Sequence, residues 1–342
     1  MKKILFIFLV LPLMLHMISS QGLAEESNKK LAQTGFQFLS VVSDAKGAAM
    51  AGAVHSLEMQ SSSLFFNPAG MANQSQFIDV AVSDNKWIAD IHHNTLSLSI
   101  APQGGRYGVI GFSALSVDYG DKFYGTVVAN NEKGFLDTGE ISPTTFAMGV
   151  GYAKALSDRF CVGGQVRWIK QAFENLTFLI ADSVETLSDT TSGEWNYKLF
   201  PYAFDFGTQF KTGIKSLAFG MSVRNFSREI KYVKEGFQLP LVFTLGISMD
   251  LMDLVEFDGP QQSLIMSVNA THFRSHPEQL IIGLDYKFMN FLSLRGGYVT
   301  GNDEDGLNYG FGITQFGLTL DYSYAPFGIF DNVQRFTARF AL

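Results

Sequence analysis

Cysteine is almost missing from this 342-residue sequence: Cys161 stands alone, so no disulfide framework can hold the fold. Proline is scarce, at 9, and charged residues make up only 17%. A disordered chain would be rich in both and poor in aromatics, so disorder is excluded. Long apolar runs are lacking too. After the first twenty positions nothing approaches the ~20 apolar residues that a spanning helix needs, which excludes a helical membrane protein. Basic residues number 25 against 32 acidic ones, so the footprint of a nucleic-acid partner is absent. What the chain has in excess is Phe, 32, and Gly, 33.

The one apolar run lies at the start, from Ile4 to Ile18 behind Lys2 and Lys3, and leads to Gly22 and Ala24. A basic start, a core too short to span and a small-x-small exit predict a secretory signal over 1–24, cleaved after Ala24. The mature chain then carries a net charge of −9, since Lys2 and Lys3 leave with the signal.

From Gln76 to the end the pattern has period two. Phe146, Met148, Val150 and Tyr152 alternate with Ala147, Gly149, Gly151 and Ala153, and Tyr202, Phe204, Phe206 and Phe210 with Ala203, Asp205, Gly207 and Gln209. Such alternation describes strands with two unlike faces. A soluble sandwich would show a face rich in Lys and Glu to water, and that face is missing here. The small face suits a barrel lumen and the bulky face suits lipid. The predicted strands are 76–82, 93–101, 106–118, 143–154, 159–170, 197–210, 216–226, 239–250, 261–273, 279–287, 291–300, 307–314, 316–324 and 333–342. That is an even set of about 14 with alternately long and short connections, broken in order only by Leu251 to Gln262. It predicts an all-β transmembrane antiparallel β-barrel over 76–342, in the outer membrane of a Gram-negative-type bacterium, with both termini periplasmic.

Residues 25–75 do not alternate. They contain a small-residue run, Gly47 to Ala53, and an Asn67-Pro68-Ala69-Gly70 turn. A compact segment ahead of a barrel lined by small groups is expected to sit in the lumen as a hatch. At the other end Phe336, Phe340 and Leu342 form an alternating last strand that resembles the signal read by the barrel-assembly machinery.

The mature chain resembles the PorV/PorQ family within the FadL-like outer-membrane barrels. Ala45 to Ala72 follows that family's hatch pattern, ending in Asn67-Pro68-Ala69-Gly70. Trp87, Ala89 and Asp90 match its Trp-x-Ala-Asp loop motif, and Asp205, Arg224, Asp285, Arg295 and Asp321 fall within its strand motifs. Lys46 stands where the family has Arg, and Met59 and Gln60 replace an acidic pair. The resemblance implies a non-enzymatic accessory of type IX-like secretion that docks a translocon or exported cargo. The wider FadL-like group implies instead a passive channel for a hydrophobic small molecule, with a hatch that moves.

No Gly-x-Ser-x-Gly elbow occurs, and the adjacent His92 and His93 point to opposite faces of a strand. No catalytic site, metal or cofactor is therefore expected. The inward charges Arg167, Asp205, Arg224, Asp285, Arg295 and Asp321 are expected to form a lumen polar network, joined by Lys287, Arg335 and Arg339. Charge inside a barrel is costly unless it pairs or is hydrated.

Overall fold

The computed structural model describes residues 34–120, 123–128, 133–180, 191–231, 236–255, 259–275, 277–301, 306–328, 330 and 332–342. The expected signal over 1–24 and its cleavage point lie outside these residues, as does His276.

The expected strands are found, except that 197–210 is broken at Phe200 and Pro201. The strands are β1 (Ile78–Lys86), β2 (His92–Ile100), β3 (Val109–Asp118), β4 (Phe123–Val128), β5 (Phe135–Ala155), β6 (Phe160–Ile180), β7 (Thr191–Leu199), β8 (Tyr202–Lys211) and β9 (Ala218–Phe226). They continue with β10 (Ile230–Lys231), β11 (Gly236–Phe237), β12 (Val242–Asp250), β13 (Gln262–Phe273), β14 (Gln279–Phe288), β15 (Leu292–Val299), β16 (Leu307–Gln315), β17 (Leu318–Ala325) and β18 (Val333–Ala341). Fourteen of them pair in turn as an antiparallel ring, which β1 and β18 close. At the seam Ile78 and Leu342 exchange two backbone hydrogen bonds, of 3.0 and 2.9 Å.

The two faces separate as the alternation requires. Phe112, Phe204, Phe206, Phe311, Phe336 and Phe340 are exposed on the outside, while Ser97, Ala203, Asp205, Ser267 and Thr337 are buried inside. An outside of bulky apolar groups carries no cost in hydrocarbon, and closure removes every edge whose backbone lipid could not satisfy.

Two strands run well past the expected ends. The expected strands 143–154 and 159–170 are the lower parts of β5 and β6, which also pair with β4 and β7 to form a raised sheet at the rim of long connections. Its segments are rich in aromatic and β-branched residues, such as Phe123, Tyr124, Thr126 and Val127, which favour strand pairing. The long inner connection after β12 holds a short 3₁₀ turn, Leu251–Leu254, whose Met252 N–H donates to the Asp250 side chain at 2.9 Å.

The hatch descends through the lumen. Thr34 bridges Gln238 at the rim of long connections, whereas Leu342 lies at the opposite, inner rim. The first described residue is thus at the rim away from the C-terminus. The chain then passes a 3₁₀ turn (Gln37–Ser40), a short helix α1 (Ala45–Ala49) and two further 3₁₀ turns (Gln60–Phe65 and Pro68–Met71) before it reaches β1.

Candidate functional site

Glycines in the wall give the hatch its seat. A Cβ on Gly163 would stand 2.5 Å from the Ala69 nitrogen, and one on Gly207 would strike the Asn67 side chain. Asn67 caps the Pro68–Met71 turn through Ala69 N–H at 3.1 Å and donates to the carbonyls of His55 at 2.7 Å and Thr208 at 3.0 Å. The Asn67-Pro68-Ala69-Gly70 motif is therefore wedged between the hatch and β6–β8, wholly buried.

The inward charges fall into separate groups. Arg167 meets Asp205 at 2.7 Å, and its guanidinium also donates to the side chain of Asn225. Arg295 meets Asp285 at 3.1 Å and Asp321 at 2.6 Å. The second contact reaches across β16, which Gly312 permits: a Cβ there would stand 2.9 Å from the guanidinium. Arg224 joins neither group and donates to the Leu39 carbonyl at 3.4 Å.

Sequence reasoning did not single out the acids of a third group. Arg339 lies 3.6 Å from Asp44 and 3.9 Å from Asp79, and donates to Ser62 at 2.7 Å. Asp44 caps α1 by accepting from Gly47 N–H at 2.8 Å. An Asp before a run of helix formers is a cap signal and could have been read. Asp79 shares parity with Ala81 and Ser83 on β1, yet nothing local told that it would accept from Ser61 of the hatch. Lys46, beside these groups, is buried; burial and then the charge of Lys287 push its ammonium down to about 7. His55 is kept neutral, pushed down to about 3 by burial and then by Arg224.

The loop motif lies at the outer rim. Ala89 and Asp90 take left-handed backbone angles, φ 55° and 54°, which turn the chain sharply between β1 and β2. Trp87 packs on Phe327 at 5.0 Å and under the Arg335 guanidinium at 5.6 Å, and Asp90 meets Lys86 at 3.3 Å. Phe336 and Phe340 face outward on β18, and Leu342 supplies the closing hydrogen bonds. Among the described residues no three His, Cys, Asp or Glu side chains converge on a metal.

Between the hatch and the outer rim is a cavity of about 670 Å³. Its lining is mainly apolar, with Phe38, Val42, Trp87, Val117, Tyr119 and Phe327, and is crossed by Arg224, Arg335, His55 and His93. Among the described residues no Asp or Glu lines it.

Among the described residues each strand of the ring pairs with both of its neighbours. The ring ladder shifts register at one place, where Asp205 of β8 faces the β9 pair Arg224 and Asn225. Asn225 has φ 61° and its N–H donates to the Asp205 carboxylate at 2.7 Å, so a side chain completes what the ladder omits.

No protein-family model matches the sequence, and no curated protein matches it. Solved structures do. The CymD monoaromatic hydrocarbon channel aligns over 88% of this chain and 97% of its own, with a TM-score of 0.61 at 12% identity. A Pseudomonas aeruginosa FadL homologue aligns over 87% and 98%, with a TM-score of 0.52 at 12% identity. The Pseudomonas putida toluene transporter TodX aligns over 86% and 96%, with a TM-score of 0.52 at 13% identity.

This chain has the FadL-like fold. The likeness spans nearly the whole of each channel, at identities that speak for the fold alone.

Proposed function

We propose that this FadL-like barrel is a non-enzymatic channel of the outer membrane that passively admits a hydrophobic small molecule. The observation that carries this reading is the mainly apolar cavity of about 670 Å³ held between the outer rim and a buried hatch. Apolar walls with a few placed polar groups are the chemistry of small-molecule sites. The channels that share the fold are named for hydrocarbons and toluene, which supports a lipophilic solute. In this reading residues 1–24 export the chain, 25–75 form the hatch, and Asn67-Pro68-Ala69-Gly70 is the seat from which the hatch must move. The closing strand, with Phe336, Phe340 and Leu342, is what the assembly machinery engages.

Liposomes carrying the chain should take up toluene or a long-chain lipophile faster than empty ones. A disulfide between Asn67→Cys and Gly207→Cys, made in a Cys161→Ser background, should stop the uptake, and a reductant should restore it. Uptake equal to that of empty liposomes would overturn the reading.

The secretion role implied by PorV/PorQ rests on the sequence motifs alone. Its docking surface would be the raised sheet β4–β5–β6–β7, and a translocon or cargo recovered with the barrel from native membranes would favour it over uptake.

A further inference from the structure

The hatch is not fastened alike on all sides. Toward β18 and β1 it is held by charged groups of the wall, Arg339 against Asp44 at 3.6 Å and Asp79 accepting from Ser61 N–H at 3.0 Å. Toward β15 and β16 it is held by close packing, since a Cβ on Gly310 would stand 2.8 Å from Ala49 and one on Gly297 would strike Met50. Toward β9, β12 and β13 it meets a wall of another kind. Between Arg224 at the outer end and Asp250 at the inner end, the inward positions of these strands carry no charge.

Register places three rows across that wall. Ser222, Thr244 and Thr271 form the outer row, Gly220, Gly246 and Asn269 the middle one, and Ala218, Ser248 and Ser267 the inner one. The outer row borders the cavity, which Thr244 and Thr271 line, and the inner row approaches the inner rim. The hatch covers the middle row with His55 and Ser56: a Cβ on Gly220 would strike the His55 carbonyl, and one on Gly246 would stand 3.3 Å from the Ser56 nitrogen.

Polar atoms without partners collect along this seam. Among the described residues Ser222 Oγ, Ser267 Oγ and Asn269 Oδ1 on the wall, and His55 Nε2 and Ser56 Oγ on the hatch, make no hydrogen bond. Each of these residues is more than nine-tenths buried. Buried hydroxyls and amides are costly unless something polar reaches them, and sites with several such groups hold water. On the fastened side Ser61, Ser62 and Ser97, equally buried, are hydrogen-bonded, while Asp79, Asn85 and Arg339 there also have atoms without a partner.

We propose that water threads the seam between the hatch and β9–β12–β13, and that the hatch parts from the wall there to give water and small polar solutes a passage from the cavity to the inner rim. Uncharged contacts separate at less cost than ion pairs already buried, because no bare charge is left behind. This goes beyond the uptake of a hydrophobic solute and can fail while that reading stands.

In a Cys161→Ser background, single variants Ser222→Cys and Ser267→Cys probe the seam, and Ser97→Cys probes the fastened side at equal burial. Folded barrels, recognised by their heat-dependent shift on gels, are treated with a small cationic methanethiosulfonate. The two seam cysteines should react at least tenfold faster than the third; equal protection of all three would overturn the proposal. A second measurement needs no cysteine. Osmotic water permeability of liposomes should rise when the chain is present and fall at least threefold with Ser222→Val and Ser267→Val together. No fall in folded protein would overturn the seam as the route, and lipophile uptake by the same liposomes reports separately on the channel reading.

Discussion

Arg295 holds two carboxylates that have no water to turn to. Asp285 and Asp321 are 0% and 1% exposed, and the guanidinium between them is the cation that both meet within 3.1 Å. Removing it leaves two like charges buried together, a loss of about 3–5 kcal/mol for a broken buried pair. Arg295→Met is therefore expected to lower the temperature at which the folded band disappears on heating, and Arg295→Met with Asp285→Asn and Asp321→Asn to recover most of the loss. Equal losses in both variants would show that the arginine acts by packing. That these charges face inward was legible in the sequence, because parity along each strand assigns them to the small face. Their partners were not. Arg295 and Asp285 meet through the register of β14 against β15, and Arg295 reaches Asp321 through the gap left by Gly312, two strands away in space. Arg224, of the same parity, pairs with neither acid. Asp44 and Asp79 went unread because their partners come from the opposite ends of the chain.

The short helix α1 and the strands β15 and β16 fit one another through missing side chains. Gly297 lies against Met50 and Ala51, and Gly310 against Ala49, so the backbones approach as closely as backbones can. A larger residue has nowhere to go, since the neighbour is main chain and not a flexible tip. Gly297→Val should displace the hatch while leaving the ladder intact. The expected result is a barrel that still shows its strand spectrum but is cut by protease within residues 34–75; an uncut hatch would show that the wall yields instead. The abundance of glycine is visible in the sequence, but which glycines serve turns and which serve the hatch is decided by what crosses the lumen in front of them. The extension of β5 and β6 is a second case at this scale: the strands run past the ends that alternation marked because β4 and β7 give them partners.

Fourteen strands make a ring wide enough to be a water-filled pore if nothing occupied it. The hatch occupies it, so the intact protein and one lacking residues 34–75 should differ in planar bilayers. The shortened chain is expected to give the steady steps of an open pore, and the intact chain a far smaller conductance. Equal conductance would mean that the hatch does not plug the path. By itself the sequence determined the wall: the order and number of its strands, their bulky outer and small inner faces, and the lodging of an unalternating segment within. Strand geometry is local, and side chains two apart must share a face whatever the rest of the chain does. The tertiary structure alone decided how the hatch is held, by charge against β18 and β1, by close packing against β15 and β16, and by uncharged contacts against β9, β12 and β13, where Asn269 donates to the Gly52 carbonyl. Those contacts join residues far apart in the chain, and their strength depends on which atoms are buried together, a property that no single stretch of sequence carries.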